Sequence, residues 1–250
     1  MKNQIQWKWF VWGKHPGLED FIWAGTQTPL FHRFTKWVDN GFARFKTDTR
    51  LRSRHCSWRF WTRGTGHQVV CGLVRNSCDA HGRSFPLLYI GAGDLEEWFN
   101  NCSMLPFAFE SIWKSFEYTA SARYGTIGQL NDSLQLLLAP RPEWRLYQQR
   151  IYNSVNYTKA TQYAETLTDG KRLIKISCEQ PENLPYNAQF CKHVMSIGDN
   201  KAPLAVFISE IDGWIAVAII NHTLTPDDFA WLWALGAEND TAGQQIGHKG

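Results

Sequence analysis

The sequence lacks most of the signatures that assign a chain to a chemical class at sight. It holds no G-x-x-x-x-G-K-[ST] phosphate loop, no G-x-G-x-x-G, no H-E-x-x-H and no G-x-S-x-G, which removes the common nucleotide, zinc-protease and serine-hydrolase classes from first place. Gly64-Thr65-Gly66 and Gly91-Ala92-Gly93 have no third glycine. The six cysteines form no C-x-x-C pair, and their spacing fits neither a zinc ribbon nor a disulfide framework, so Cys56, Cys71, Cys78, Cys102, Cys178 and Cys191 read as reduced core thiols. No apolar run approaches the length that spans a bilayer: the longest is Trp214 to Ile220. Met1 to Trp7 has no continuous apolar stretch of the signal-peptide kind, and a cytoplasmic location without membrane insertion is expected. Charge of one sign is also scarce. With 26 Lys+Arg against 23 Asp+Glu, the net charge of +3 is too small a field to hold nucleic acid without a local patch.

What is abundant is aromatic surface. The 250 residues include 13 Trp, 15 Phe and 8 Tyr, and each such ring must be packed or used in contact. Hydrophobic residues make up 44% of the chain, enough for a sizeable core.

Hydrophobic period organises the chain. Gln4 to Trp12 alternates as a strand, with Ile5, Trp7, Trp9 and Val11 on one face, and runs into a turn at Gly13 to Gly17. Thr28 as N-cap and Pro29 at the first helical position open a helix carrying Leu30, Phe34, Trp37, Val38, Phe42 and Phe45. A basic polar connection from Lys46 to His55 precedes three strands, Cys56 to Phe60, Val69 to Val74 and Pro86 to Ile90. Asp94 and Glu97 then give a D-x-x-E helix start before Leu95, Trp98, Phe99 and Cys102. Further helical stripes are Phe109, Ile112, Trp113, Phe116 and Ala120, then Leu130, Leu134, Leu137 and Leu138 up to Pro140. Arg141 to Leu167, with Trp144, Tyr147, Ile151 and Val155, is read as helix. Strands return at Leu173 to Cys178, Leu204 to Ile211 and Trp214 to Ile220, the last two joined through Asp212-Gly213 as a hairpin. Thr225-Pro226-Asp227-Asp228 opens a closing helix with Phe229, Leu232, Trp233 and Leu235. The expected architecture is one α+β domain over 1–236, a mixed or antiparallel sheet packed by helices, with a division near residue 170 as the alternative and a flexible tail at 237–250.

Three constellations invite a chemical reading. Ser77, Asp79 and His81 supply the residue types of a hydrolase triad, but three alternating residues in one turn do not converge as triad members from separate segments do; a polar turn with Gly82 left-handed is the plainer reading. A small hydrolase built on this turn is the alternative function. Lys46, Arg50, Arg52, Arg54, Arg59 and Arg63, with Asp48 as the one acid, lie near Trp58, Phe60 and Trp61. This is a solvated face, or a patch for an acidic or phosphorylated protein, before it is a nucleic-acid platform. His15, His32, His55, His67 and His81 follow no metal-ligand spacing, so neither metal nor cofactor is expected.

Two stretches combine a cation and a carboxylate in a glycine-containing turn beside a strand: Gly13-Lys14-His15-Pro16-Gly17-Leu18-Glu19-Asp20-Phe21 and Ser77-Cys78-Asp79-Ala80-His81-Gly82-Arg83-Ser84-Phe85-Pro86-Leu87. With Trp58-Arg59-Phe60 between them, they resemble the type VI secretion-associated TagF family, whose members carry G-K-x-P-x-x-G-D-F, W-R-F and S-x-D-x-x-G-R-x-F-P-L in that order. The resemblance covers residues 8 to 90 and, more weakly, the C-terminal hairpin and closing helix. Glu19 stands where the family has glycine, and Asn76 where it has proline. The resemblance implies a bacterial cytoplasmic accessory protein without catalytic activity that represses type VI secretion after translation. It would act through the forkhead-associated scaffold protein, in parallel with a threonine kinase and phosphatase. The motif residues Gly13, Lys14, Pro16, Asp20, Phe21, Trp58, Arg59, Ser77, Asp79, Gly82 and Arg83 are candidates for partner contact. Trp61 joins them because alternation sets it opposite Trp58 and Phe60, and an exposed contact surface is expected at the Trp58 to Arg63 strand end and the adjoining loops. The two loops should lie together, with Arg83 holding Asp79 or Asp20 and Lys14 serving Asp20 or Glu19.

Overall fold

The computed structural model describes residues 6–47, 51–53, 56–154, 162–166, 170–177, 203–211 and 213–239. Of the readings above, those on Ile5, Asp48, Arg50, Arg54, His55, Val155, Cys178, Cys191, Asp212 and the tail from residue 240 lie outside these residues.

The first strand, β1 (Lys8–Gly13), pairs with a short β2 (Ile22–Gly25) that has no strong sequence signal. Helix α1 (Pro29–Thr47) follows, then β3 (Leu51–Ser53), β4 (Ser57–Arg63), β5 (Gln68–Arg75) and β6 (Leu87–Asp94). The helical middle consists of α2 (Leu105–Ser121), α3 (Ile127–Gln135) and α4 (Trp144–Ser154). The chain closes with β7 (Gln162–Thr166), β8 (Lys171–Ser177), β9 (Ala205–Ile211), β10 (Trp214–Ile220), α5 (Pro226–Leu235) and β11 (Ala237–Asn239). Nine strands form one antiparallel sheet in the order β2-β1-β6-β5-β4-β9-β10-β8-β7, and β11 pairs with β3 apart from it. The sheet runs without a break across residue 170, as a single α+β domain requires.

Helices cover both faces of the sheet, and the alternation of each central strand therefore feeds two cores. Val11, Trp61, Cys71, Leu73 and Tyr89 point toward Phe109, Trp113 and Phe116 of α2. Phe10, Trp12, Trp58, Phe60, Val70 and Leu88 point toward α1 and α5. The Gly91-Ala92-Gly93 run belongs to this packing. A Cβ at Gly91 would sit 2.1 Å from the Trp9 ring and one at Gly93 2.7 Å from the Trp7 ring. Two missing side chains thus make room for paired indoles (centroids 5.3 Å apart) that meet Phe109 and Phe116 edge-on.

Several elements follow their local signals. The Thr28 hydroxyl accepts the Phe31 N–H at 3.2 Å and starts α1. Thr225 N–H donates to the Asp228 carboxylate at 2.7 Å in the reciprocal cap of α5. Gly213, at φ +75°, turns the β9–β10 hairpin. Cys56 and Cys71 are buried free thiols.

Four expectations are corrected. The D-x-x-E signal at Asp94 starts no helix: Asp94 is the last residue of β6, paired with Gln68, and Glu97 takes a left-handed φ of +56°. Residues 96–101 turn instead, and α2 begins at Leu105 with Pro106 in its first turn. The stripe that ends at Leu138 is helical only to Gln135, and Leu136 and Leu138 are exposed. Within Arg141 to Leu167, α4 is helix, but residues 162–166 pair with β8 as a strand, where hydrogen-bonded pairing overrides a loose helical pattern. Residues 237–239, expected at the start of a flexible tail, pair with 51–53 of the supposed polar connection.

Candidate docking site

The two glycine-containing loops come together at the end of the sheet where β1 leaves β6. Gly13, at φ +124°, ends β1 opposite Leu87, and a Cβ there would lie 2.0 Å from the Pro86 carbonyl oxygen. This close backbone approach carries Lys14 inward. Its side chain is 9% exposed and its Nζ lies 2.9 Å from Oδ2 of Asp79, a carboxylate fully shut off from solvent. The loop 77–86 is wound around that carboxylate. Oδ1 accepts the backbone N–H of His81 at 3.0 Å and of Arg83 at 2.9 Å, and Oδ2 accepts Arg83 Nε at 2.7 Å. Gly82, at φ +76°, permits the tight return. Burial works against ionisation of Asp79, but the hydrogen bonds from Lys14 and Arg83 outweigh it and hold the carboxyl well below the usual carboxylate range.

Two more bonds fasten one loop to the other: Ala80 N–H donates to the Leu18 carbonyl at 2.9 Å, and Arg83 Nη2 to the Glu19 carbonyl at 2.8 Å. Lys14 therefore serves Asp79 and not Asp20 or Glu19. Asp20 caps its own loop by accepting the Phe21 N–H at 2.8 Å. Glu19 contributes only a backbone carbonyl to this link, so the residue type there is not what the junction depends on. Asn76 uses what proline lacks: its N–H donates to the Cys56 carbonyl at 2.8 Å, and its Oδ1 accepts the Cys56 N–H at 3.2 Å.

Beneath the loop, His15 is fully buried. Its Nδ1 accepts the Gly17 N–H at 3.1 Å and its Nε2 lies 3.4 Å from the Thr119 carbonyl, an arrangement suited to the neutral ring with the proton on Nε2. Burial lowers its pKa; the Thr119 carbonyl opposes this and the Arg75 charge adds to it.

Ser77, Asp79 and His81 do not assemble as a triad. Asp79 bonds the amide of His81 and spends its remaining acceptor sites on Arg83 and Lys14. Ser77 lends its carbonyl to the Phe85 N–H at 3.0 Å. His81 itself is exposed.

The charge cluster supports an aromatic ledge. Phe21 packs edge-on against Phe85 with centroids 4.7 Å apart, Lys14 Nζ lies 5.2 Å over the Phe21 ring, and Trp12 touches Phe21, Trp23 and Phe85. Trp12 and Phe85 are buried, whereas Phe21 and Trp23 remain 42% and 41% exposed. Trp23 lies on the edge strand β2 and Phe21 immediately precedes it. Sequence reasoning named Phe21 but missed Trp23; the alternation Phe21, Trp23 around Ile22 was the available signal.

The expected surface at the Trp58 to Arg63 strand end is overturned. Trp58 and Trp61 are both 0% exposed, since each sheet face has its own helical layer and no outward face exists for Trp61 to occupy. Trp58 Nε1 donates to the Leu232 carbonyl at 3.1 Å. Arg59 pairs with Glu117 of α2 at 2.7 Å. Pro16 is exposed in the loop that follows β1. Among the described residues no group of three or more His, Cys, Asp or Glu is placed to hold a metal ion, and no helix is long and apolar enough to cross a membrane.

Residues 11–137 match the TagF N-terminal domain, type VI secretion system-associated, and this span contains both loops and the aromatic ledge. No curated protein matches the chain. Among solved structures, PA0076 from Pseudomonas aeruginosa PAO1 is similar with a TM-score of 0.50 at 15% sequence identity, over 90% of this chain and 94% of that one. At that identity the likeness is one of fold.

Proposed function

The chain belongs to the type VI secretion-associated TagF N-terminal domain family, and from that premise we propose that it is a non-enzymatic cytoplasmic accessory protein that restrains type VI secretion after translation by binding the forkhead-associated scaffold protein. The observation that supports the reading is the exposed pair Phe21 and Trp23, mounted on buried Trp12 and Phe85 and backed by the Lys14–Asp79–Arg83 cluster. Aromatic anchors of this kind dominate protein interfaces when the groups around them are fixed, because less freedom is lost on association. Arg83, 57% exposed, together with the exposed Glu19 and Asp20 gives the ledge a rim of mixed charge, and a partner surface with an apolar centre and a polar border is its complement.

The test is titration of the full chain against purified scaffold in a calorimeter, together with affinity capture from host cells that have or lack the scaffold. A saturable complex, and loss of the captured secretion components when the scaffold is deleted, supports the reading. Absence of binding between the purified proteins, with capture unchanged in the deletion, overturns it.

A further inference from the structure

The nine-stranded sheet ends at β2, and that edge is only partly closed. The β1–β2 register sets Val11 opposite Ala24 and Trp12 opposite Trp23, and Thr26 N–H donates to the Trp9 carbonyl at 2.8 Å. Hydrogen-bonded pairs alternate along an antiparallel ladder, so Ile22 and Ala24 bond to β1. The N–H groups of Trp23, Gly25 and, just before the strand, Phe21 point away from it. Side-chain oxygens take the outer two of these positions: Asp20 Oδ1 accepts Phe21 N–H at 2.8 Å, and Asn131 Oδ1 of α3 accepts Gly25 N–H at 2.7 Å. Each stands where a carbonyl oxygen of a further strand would stand. Between them, the N–H and C=O of Trp23 have no hydrogen-bond partner among the described residues. The side chains follow the same alternation. Ile22 and Ala24 are buried in the core under α2, whereas Phe21 and Trp23 lie beside Trp12 on the opposite face and stay largely exposed.

We infer that β2 accepts an extended segment of the protein partner as a further antiparallel strand, one residue of that segment exchanging both backbone hydrogen bonds with Trp23. In that register the residue opposite Trp23 and the one two positions after it, opposite Phe21, lie on the same face as the two rings. Apolar side chains, β-branched or aromatic, suit both positions, because such cross-strand pairs with aromatic rings are favourable. A helical partner would cover the rings but leave the Trp23 N–H and C=O without partners once water is excluded. An added strand satisfies both the rings and the backbone. Asp20 and Asn131 keep the open stretch short, which limits edge pairing between copies of this chain. The inference rests on the aromatic ledge being the docking site and states how the partner is held there.

The experiment measures the affinity of purified scaffold protein for the full chain, Trp23→Ala and Trp23→Pro by calorimetry, and the amide hydrogen exchange of the native chain free and in the complex. Alanine removes the ring and keeps the N–H. Proline removes both, yet breaks no bond to β1, as an outward-facing position on a sheet edge allows. Trp23→Pro should bind about fivefold or more weaker than Trp23→Ala, and the Trp23 amide should exchange about tenfold or more slowly in the complex. The exchange measurement uses the native chain and decides alone should Trp23→Pro fail to fold. Equal affinity of the two variants, or an unchanged Trp23 amide, overturns strand addition and leaves the ledge reading standing. Failure of the scaffold to bind the native chain overturns both. A native chain that dimerises in sedimentation equilibrium while Trp23→Pro stays monomeric gives the edge to a second copy and overturns the assignment to a partner.

Discussion

Lys14 and Asp79 meet at 2.9 Å with both side chains withdrawn from solvent, joining the loop after β1 to the loop before β6. Arg83 reaches the same carboxylate oxygen at 2.7 Å from the outside. One buried carboxylate therefore sets the geometry of both motif loops.

Removing that carboxylate should cost more than removing either cation. Asp79→Asn keeps an acceptor for the two amides but turns a donor toward Lys14 and Arg83, leaving a buried ammonium uncompensated. It should lower Tm by on the order of 5–10 °C. Lys14→Met leaves Asp79 with Arg83 and two backbone amides, and should lower Tm by less. Thermal unfolding of the two variants checks the order, and a larger loss for Lys14→Met would contradict it.

Acid should weaken the fold in two stages. His15 is held below its ordinary value by burial, so the unfolded chain binds the extra proton first, and the stability tied to His15 is lost as pH falls below about 6.5. Asp79 and Asp228 are both lowered, burial being outweighed in each by hydrogen-bonding cations and hydroxyl or amide donors. Their contribution is complete above about pH 4 and lost as pH falls through their folded values. Tm measured against pH should begin to fall below about pH 6.5, and that slope should flatten in His15→Gln. The steeper fall below about pH 4 should shrink in Asp79→Asn.

Gly13 and Gly82 both have positive φ, but they differ in their surroundings. A Cβ at Gly13 would strike the Pro86 carbonyl, whereas nothing lies within 4 Å of one at Gly82. Gly82→Ala should cost about 1–2 kcal/mol from backbone strain alone. Gly13→Ala should cost more because the β1–β6 end must also move apart. Denaturant unfolding of the pair measures the difference, and equal losses would contradict it.

Much of the fold was legible because its signals are local. Alternation in β4, β5 and the β9–β10 hairpin, the Thr28 and Thr225 caps and the α1 stripe all report what a few neighbouring residues prefer. The two motif loops were placed together correctly from their flanking strands. What failed depended on partners distant in sequence. Four-residue β2 is a strand because β1 is beside it, and 162–166 because of β8. Asp94 looked like a helix start, yet its register against Gln68 fixes it at a strand end. The aromatic count suggested surplus rings on the surface because one core was assumed; a sheet covered on both faces has two, and they absorb Trp58 and Trp61 on opposite sides. The Lys14–Asp79 pair was missed because nearer acids, Glu19 and Asp20, competed for Lys14 on the page but not in space.

Trp61 is the clearest test of that two-core account. Trp61→Ala should cost about 3–5 kcal/mol of stability. Trp61 Nε1 has no hydrogen-bond partner among the described residues, whereas Trp58 Nε1 donates to Leu232, so Trp61→Phe should be milder than Trp58→Phe. Chemical denaturation of the three variants decides this, and a neutral Trp61→Ala would contradict the burial.

The central claim is that this chain acts by contact through Phe21 and Trp23, and its most direct measurement is scaffold affinity of Trp23→Ala and Phe21→Ala beside the exposed control Leu138→Ala, each first shown to unfold near the native Tm. The account predicts that the two ledge variants weaken binding by about tenfold or more while Leu138→Ala binds as the native chain does. Native affinity in both ledge variants would contradict it.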